Sequence, residues 1–327
     1  MDLDAYQAAR QSAALIDLRG RGKIRASGPD RVSFLHSMVS NDVEKLAPMA
    51  GRFNTFLTMK GKIVASFYLY KFDDDLLIDL DADLTATTIE TLNKFIIMDE
   101  VELEDVSSEW AHFSLQGPSC DQAAKLLLGT APPQAQLHLA QGAFQGRTAW
   151  VIRKADLAQD GCEVLLDSES GEDFGKAALE KGSALGIKAA DDEVVETLRV
   201  EAGRPRHGAE LDEGRYPMEA RLNEALDFDK GCYIGQEVVA KATYIGGVAR
   251  LLCRLALKGE KVPEKGAKVV NEEGRTAGSV TSAVYSPRLG HPIALAYLKK
   301  AYIEPGTMLQ AVLGEDHAQA QVVESFG

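Results

Sequence analysis

Apolar and polar positions alternate along much of this chain, and where alternation stops a helical period takes over. Residues 22–27 read as a strand, Gly28-Pro29 as a turn, and Asp30 as the cap of a helix with Val32, Leu35 and Val39 on one side. Residues 52–59 and 62–70 read as strands joined by Lys60-Gly61. An acidic turn at 71–75 leads to a strand at 76–80. The spacing of Ile89, Leu92 and Ile96 predicts a helix over 85–97. The same order then recurs. A strand at 111–115 meets Gly117-Pro118 and a helix running to 128, followed by strands at 148–153 and 162–166 and a helix at 172–181. The two Gly-Pro turns are 89 residues apart. A chance repeat of a common turn is the alternative, but the matching order favours a duplicated β-α-β-β-α unit.

A third kind of helix spans 191–202, with Val194, Leu198 and Glu201 at i, i+4 and i+7. That spacing puts a carboxylate in line with an apolar seam, where it needs a partner or a purpose. From 251 onward short alternating runs, at 251–257, 275–284, 293–298, 307–312 and 318–323, are separated by Gly and Pro. They read as a small closed or sandwiched β domain. The expected division is therefore 1–250 and 251–327, with 203–250 linking the two patterns.

Composition narrows the class. The chain has 327 residues, 45% hydrophobic and 26% charged, as in ordinary globular proteins. It opens Met1-Asp2-Leu3-Asp4, without the apolar stretch of a secretory signal, and no apolar run approaches a membrane span. Four cysteines in so long a chain fit a reducing cytoplasm. A net charge of −13 argues against stable nucleic-acid binding. The charge is uneven: residues 199–254 hold nine basic and nine acidic side chains, and Lys241, Arg250, Arg254 and Lys258 follow Glu237 before the next acid. That strip suits an anionic ligand or a solvated face.

The cysteines divide three to one. Cys162 alternates with Val164 and Leu166, Cys253 with Leu251, Leu255 and Leu257, and Cys120 precedes Ala124 and Leu127 at helical spacing. All three fit a core face. Cys232 lies instead in Lys230-Gly231-Cys232-Tyr233-Ile234-Gly235-Gln236-Glu237, a glycine-bounded loop before a predicted helix. Helix N-termini favour thiolate, and Lys230 and Lys241 add positive charge. The residues expected to carry chemistry are Cys232, Lys230, Gln236 and Glu237. The alternative is that Cys232 is a small buried residue. No cysteine spacing suggests a metal site, and no Walker A, Rossmann, HExxH or GxSxG pattern is present.

With those segments in view, the chain resembles the YgfZ proteins, folate-binding relatives of the aminomethyltransferase (T-protein) of the glycine cleavage system. The resemblance is carried by Gly22-Lys23-Ile24-Arg25-Ala26-Ser27-Gly28-Pro29-Asp30, by Ser40-Asn41-Asp42-Val43, and by residues 196–205, Glu-Thr-Leu-Arg-Val-Glu-Ala-Gly-Arg-Pro. These are shared across the folate-binding superfamily, whereas residues 230–237 match the YgfZ branch. The resemblance implies two related ferredoxin-like α+β domains and a C-terminal β-barrel, in a ring around a folate channel. It implies tetrahydrofolate as cofactor, with Glu201 accepting the pterin's paired N–H groups. A structural ion pair with a nearby arginine is the alternative for Glu201. Arg221 is the expected partner of folate's anionic tail.

Aminomethyltransferases read Lys-Gly-Gly-Ile-Ile-Asp-Asp where this chain reads Lys60-Gly61-Lys62-Ile63-Val64-Ala65-Ser66. Their Asn-rich segment is replaced by Asp81-Ala82-Asp83. Ala65 and Ser66 cannot supply the acid, so a glycine-cleavage transferase is disfavoured. The expected role is an accessory factor for assembly or repair of iron–sulfur clusters, serving client or assembly proteins that include tRNA-modifying enzymes. The other readings are a folate-dependent one-carbon transferase or demethylase, and a thiol redox protein, which lacks a nearby resolving cysteine.

Overall fold

The computed structural model describes residues 1–243 and 247–326. Contacts divide the chain into two compact units. The first comprises Met1–Leu57, Val64–Val195 and Glu224–Ile234; the second comprises Thr58–Ile63, Glu196–Asn223 and Gly235–Gly327.

In the first unit, α1 (Leu3–Gln11) and β1 (Ala13–Asp17) precede two similar passages. The first passage is β2 (Gly22–Ser27), α2 (Arg31–Met38), β3 (Ala50–Leu57), β4 (Ile63–Lys71), β5 (Leu76–Leu80) and α3 (Thr85–Asn93), followed by β6 (Glu102–Asp105). The second is β7 (Trp110–Gln116), α4 (Cys120–Leu128), β8 (Leu139–Phe144), β9 (Arg147–Arg153), β10 (Gly161–Asp167) and α5 (Gly171–Lys181), followed by β11 (Ile187–Ala189). The strand orders are β3-β4-β5-β2-β6 and β11-β1-β7-β10-β9-β8. The run β3-β4-β5-β2 matches β8-β9-β10-β7, so the duplication is structural. Each repeat has three strands after its first helix. The first of these in the second repeat, β8, lies outside the strands predicted from periodicity, because its Leu-Ala-Gln-Gly-Ala-Phe buries only its two ends fully.

Both first helices follow a glycine in the left-handed region, Gly28 (φ +96°) and Gly117 (φ +136°). A Cβ on Gly28 would lie 2.1 Å from the Glu100 carbonyl oxygen, so the turn needs glycine. Asp30 stands at the cap position of α2, yet its side chain does not bond the helix; its Oδ2 accepts from Glu100 N at 2.9 Å. Helix α3 stops at Asn93, short of the predicted end. Phe95 and Ile96 still pack on the core beyond it, in a stretch of aromatic and β-branched residues that are weak helix formers.

Each sheet carries its helices on one face. Phe113, Leu115, Cys120, Cys162, Val164 and Phe174 form the core beneath α4 and α5. Phe34, Leu35, Phe56, Phe67, Ile78 and Leu92 do the same beneath α2 and α3. The opposite faces meet each other through Tyr70, Leu77, Val106, Leu139, Ile152 and Leu165.

Helix α6 (Asp192–Ala202) passes from the first unit into the second, where α7 (Gln236–Lys241) precedes the barrel. The barrel strands are β12 (Arg250–Leu257), β13 (Lys268–Val270), β14 (Thr276–Ser286), β15 (His291–Lys299), β16 (Met308–Leu313) and β17 (Asp316–Val323). They close in the order β12-β15-β14-β13-β16-β17, which leaves no open edge. The five predicted runs are five of these strands; β13, three residues long, was not anticipated. Inside lie Leu255, Leu257, Val269, Val280, Leu298 and Leu309. Val200 of α6 packs on Leu252, Ile293, Leu295 and Tyr297. Among the described residues no helix is long and apolar enough to cross a membrane.

Candidate functional site

Cys120, Cys162 and Cys253 are buried and Cys232 is exposed, and all four are free thiols. Burial holds Cys253 above the ordinary thiol value, and a hydrogen bond that Cys162 donates to Cys120, followed by burial, does the same for Cys162. The thiol open to solvent is the one outside any periodic pattern.

The loop carrying Cys232 is fastened to the segment that follows α2. Ser40 Oγ donates to Ala225 O at 2.6 Å, Asn41 Nδ2 donates to Glu224 O at 2.9 Å, and Asp227 N donates to Ser40 O at 3.0 Å. The backbone N–H groups of Asp229 and Lys230 both donate to Asp227 Oδ1, at 2.9 and 3.0 Å. Lys230 then buries its side chain. Its ammonium donates to Val39 O at 2.6 Å, to Asn41 O at 3.1 Å and to His36 O. Three donors meet three carbonyls at the end of α2, which satisfies the ammonium completely. The same nitrogen lies 5.0 Å from the centre of the Tyr233 ring. Burial pulls the Lys230 pKa down to about 8, which leaves the group charged at neutral pH. Lys230 is thus a positioning residue that holds the loop. Burial likewise pushes Tyr233 up to about 12, and Ile234 packs on the core beneath α2 and α3. Cys232 stands exposed between two anchored neighbours.

Gln236 and Glu237 open α7 in the second unit, Gln236 half-buried and Glu237 exposed. Helix α7 is only six residues long, which limits the dipole expected to act on the thiol. Gly235 adopts φ +83° and packs on Gly61; a Cβ there would meet Thr58 O at 2.7 Å.

Glu201 is turned inward, as its place on the seam predicts, with a side chain 1% exposed. Ser286 Oγ donates to its Oε1 at 2.5 Å, and Arg288 Nε lies 4.0 Å from Oε2. Here the carboxylate has protein partners, in line with the ion-pair alternative, and a pterin would share or displace them. Arg221 donates from Nε to Leu252 O at 2.7 Å and has a left-handed backbone, φ +59°. Ala65 is fully buried in the core beneath α2 and α3 and Ser66 is half-buried. Asp81 accepts from Arg21 Nη1 at 2.9 Å.

A second polar cluster was not foreseen. Between the two sheets, Lys23 Nζ donates to Asp79 Oδ1 at 2.9 Å, Arg21 Nε donates to the same oxygen at 2.8 Å, and Lys154 Nζ donates to Glu163 Oε2 at 3.0 Å. His112 Nε2 lies 3.1 Å from Glu163 Oε2. His112 stands 89 residues after Lys23, so the duplication places the two at equivalent positions. Burial raises Asp79 and Glu163, but Arg21 and Lys23, and Lys154 and His112, outweigh it and hold both below the ordinary carboxylate range. Burial, reinforced by Lys23, lowers His112, which is therefore neutral at pH 7. Asp79, His112 and Glu163 approach one another closely enough to share a cation. Lys23, Lys154 and Arg21 already supply that charge. The signal in the sequence was Lys23, His112, Ser114 and Gln116 at alternate strand positions, a pattern that reads as solvent-facing.

With this geometry in hand, comparison with known proteins is informative. The profile of the GCVT N-terminal domain matches residues 3–230, and that of the glycine cleavage T-protein C-terminal barrel domain matches 250–326. The chain belongs to the GCVT family. Among GCVT-family relatives, the aminomethyltransferase of Caldanaerobacter subterraneus subsp. tengcongensis is 27% identical over 328 residues, covering 98% of this chain and 86% of its own. That of Chlorobium luteolum is 29% identical over 306 residues, covering 92% and 83%. The structure of glycine cleavage system aminomethyltransferase T from Bartonella henselae superposes with a TM-score of 0.90 at 20% identity, covering 99% of this chain and 89% of that one. That likeness shows the GCVT fold. The relatives' names reach the family and the word aminomethyltransferase, and do not reach the YgfZ branch.

Proposed function

We propose that this chain binds tetrahydrofolate and serves as an accessory factor in the assembly or repair of iron–sulfur clusters in other enzymes, including those that modify tRNA. On this reading it belongs to the YgfZ branch, and Cys232 is its working thiol. The observation that carries the reading is the contrast at position 232: one exposed thiol on a fastened loop, three buried in cores. The residues at 65 and 66 support it, because neither Ala65 nor Ser66 provides the acid of the transferase motif. A soft, solvent-facing sulfur can attack, be oxidised or hold iron transiently.

The relatives' names favour a second reading, and do so more directly. On that reading the chain is a folate-dependent one-carbon transferase, moving an aminomethyl or methyl group between a small amine and tetrahydrofolate. Both readings require tetrahydrofolate, and they part at turnover. Purified protein titrated calorimetrically with tetrahydrofolate, then assayed in a reconstituted glycine-cleavage reaction, separates them. Binding without turnover is expected. Binding with turnover establishes the transferase, and absence of binding removes both.

A further inference from the structure

On the second unit, Arg221 and Arg254 line a cavity of about 300 Å³ together with Leu251, Cys253, Ile303 and Pro305. Among the described residues neither guanidinium forms an ion pair. Arg254 donates from Nη1 to Glu324 O at 3.0 Å and from Nη2 to Ala202 O at 3.2 Å, and Arg221 donates to Leu252 O. Each guanidinium has five donors, and with Arg221 exposed and Arg254 half-buried, donors are left over for a ligand that enters from solvent. Burial, then Arg221 and Arg204, pull Arg254 below the ordinary arginine value; the neighbouring charges that act on it most are of its own sign. Burial pushes the Cys253 thiol up, so Cys253 adds no negative charge to the cavity, and the acids in its lining are Glu304 and Glu324.

The cations are held together by the fold. Gly203, at φ +68°, lies so close that a Cβ would meet Arg254 Nε at 2.2 Å. Arg221 occupies its place with a left-handed backbone that non-glycine residues avoid. The charge of Arg221 acts unfavourably on Arg254 across this concavity, and an anion between them relieves that repulsion. We propose that this cavity is an oxyanion site, taking one phosphate or carboxylate group between the Arg221 and Arg254 forks. Planar forks match both groups bidentately. Glu304 and Glu324 line the same cavity and limit the occupant to a small anion, excluding a polyanion.

The site does not depend on the folate reading, although a folate glutamate tail is one source of carboxylate. The test is calorimetric titration of the full chain with inorganic phosphate and, separately, with glutarate, followed by competition with tetrahydrofolate. Saturable binding of at least one anion is expected, weakened at least tenfold in Arg221→Gln and in Arg254→Gln. Thermal melts report whether each variant is folded. Arg221→Gln keeps an amide donor near the Leu252 carbonyl and guards against misfolding at Arg254. Competition with tetrahydrofolate identifies the tail as the source, and independent binding identifies a free oxyanion. Absence of saturable binding in the wild type, or equal binding in a folded Arg221→Gln, overturns the site. Loss of tetrahydrofolate binding with phosphate binding intact touches only the folate reading.

Discussion

Cys232 and Lys230 sit two residues apart and show what a sequence reveals and conceals at the scale of one side chain. The thiol's exposure was legible because the other three cysteines carry strand or helix periodicity and Cys232 does not. Mild alkylation followed by peptide mapping should therefore label Cys232 first; earlier labelling of Cys120, Cys162 or Cys253 would contradict the burial pattern. The role of Lys230 was not legible: in sequence it stands among the residues expected to carry chemistry, as a charge beside the thiol, and not as a buried anchor. Its burial depends on carbonyls about 190 residues earlier, at His36, Val39 and Asn41. Lys230→Met keeps the apolar stem and leaves those carbonyls without their donor. We expect a loss on the order of 2–4 kcal/mol in chemical denaturation, with faster proteolysis of the loop. Unchanged stability would mean that the cradle contributes nothing.

At the scale of strands and helices, periodicity separates the two faces of strands such as β7 but does not show what covers the second face. In β7, Ala111, Phe113 and Leu115 pack beneath helices as their alternation predicts, while His112, Ser114 and Gln116 also prove buried. His112 faces Asp79 of the other repeat at 3.8 Å, while Gln116 donates to Ser114 Oγ and Lys154 O within its own, partners visible only once the chain is folded. The acids in that interface make its stability depend on pH. Asp79 and Glu163 have folded pKa values below their unfolded ones, so the unfolded chain binds more protons as pH falls. Their contribution is present above the ordinary carboxylate range and is lost as pH drops through the folded values. Urea melts between pH 7 and pH 3 should show stability falling below about pH 4.5, the usual glutamate value. Glu163→Gln should flatten that fall while lowering stability at pH 7, because Lys154 loses its counter-charge. A variant with the wild-type pH slope would assign the acid sensitivity elsewhere.

For the whole molecule, the duplicated α+β region and the β-barrel were both readable, and the glycine-rich turns that separate their strands made the barrel so. The interleaving of the two compact units was not. Segments such as Thr58–Ile63 and Glu224–Ile234 join their units through contacts distant in sequence. Glu201 was read correctly as inward-facing, but its partner Ser286 lies 85 residues away and could not be named. If tetrahydrofolate's pterin replaces that partner, Glu201→Gln should weaken tetrahydrofolate binding by about 1.5–3 kcal/mol while the fold persists. Unchanged calorimetric affinity would leave Glu201 as a structural link to the barrel. The central claim joins folate binding to a thiol that works for other enzymes, and the most direct measurement is complementation with Cys232→Ser. In cells lacking the native factor, the wild-type chain should restore growth and iron–sulfur enzyme activity. The serine variant should fold, bind tetrahydrofolate and restore neither, because a hydroxyl is neither a ready nucleophile nor a soft metal ligand at neutral pH. Full rescue by Cys232→Ser would contradict the account.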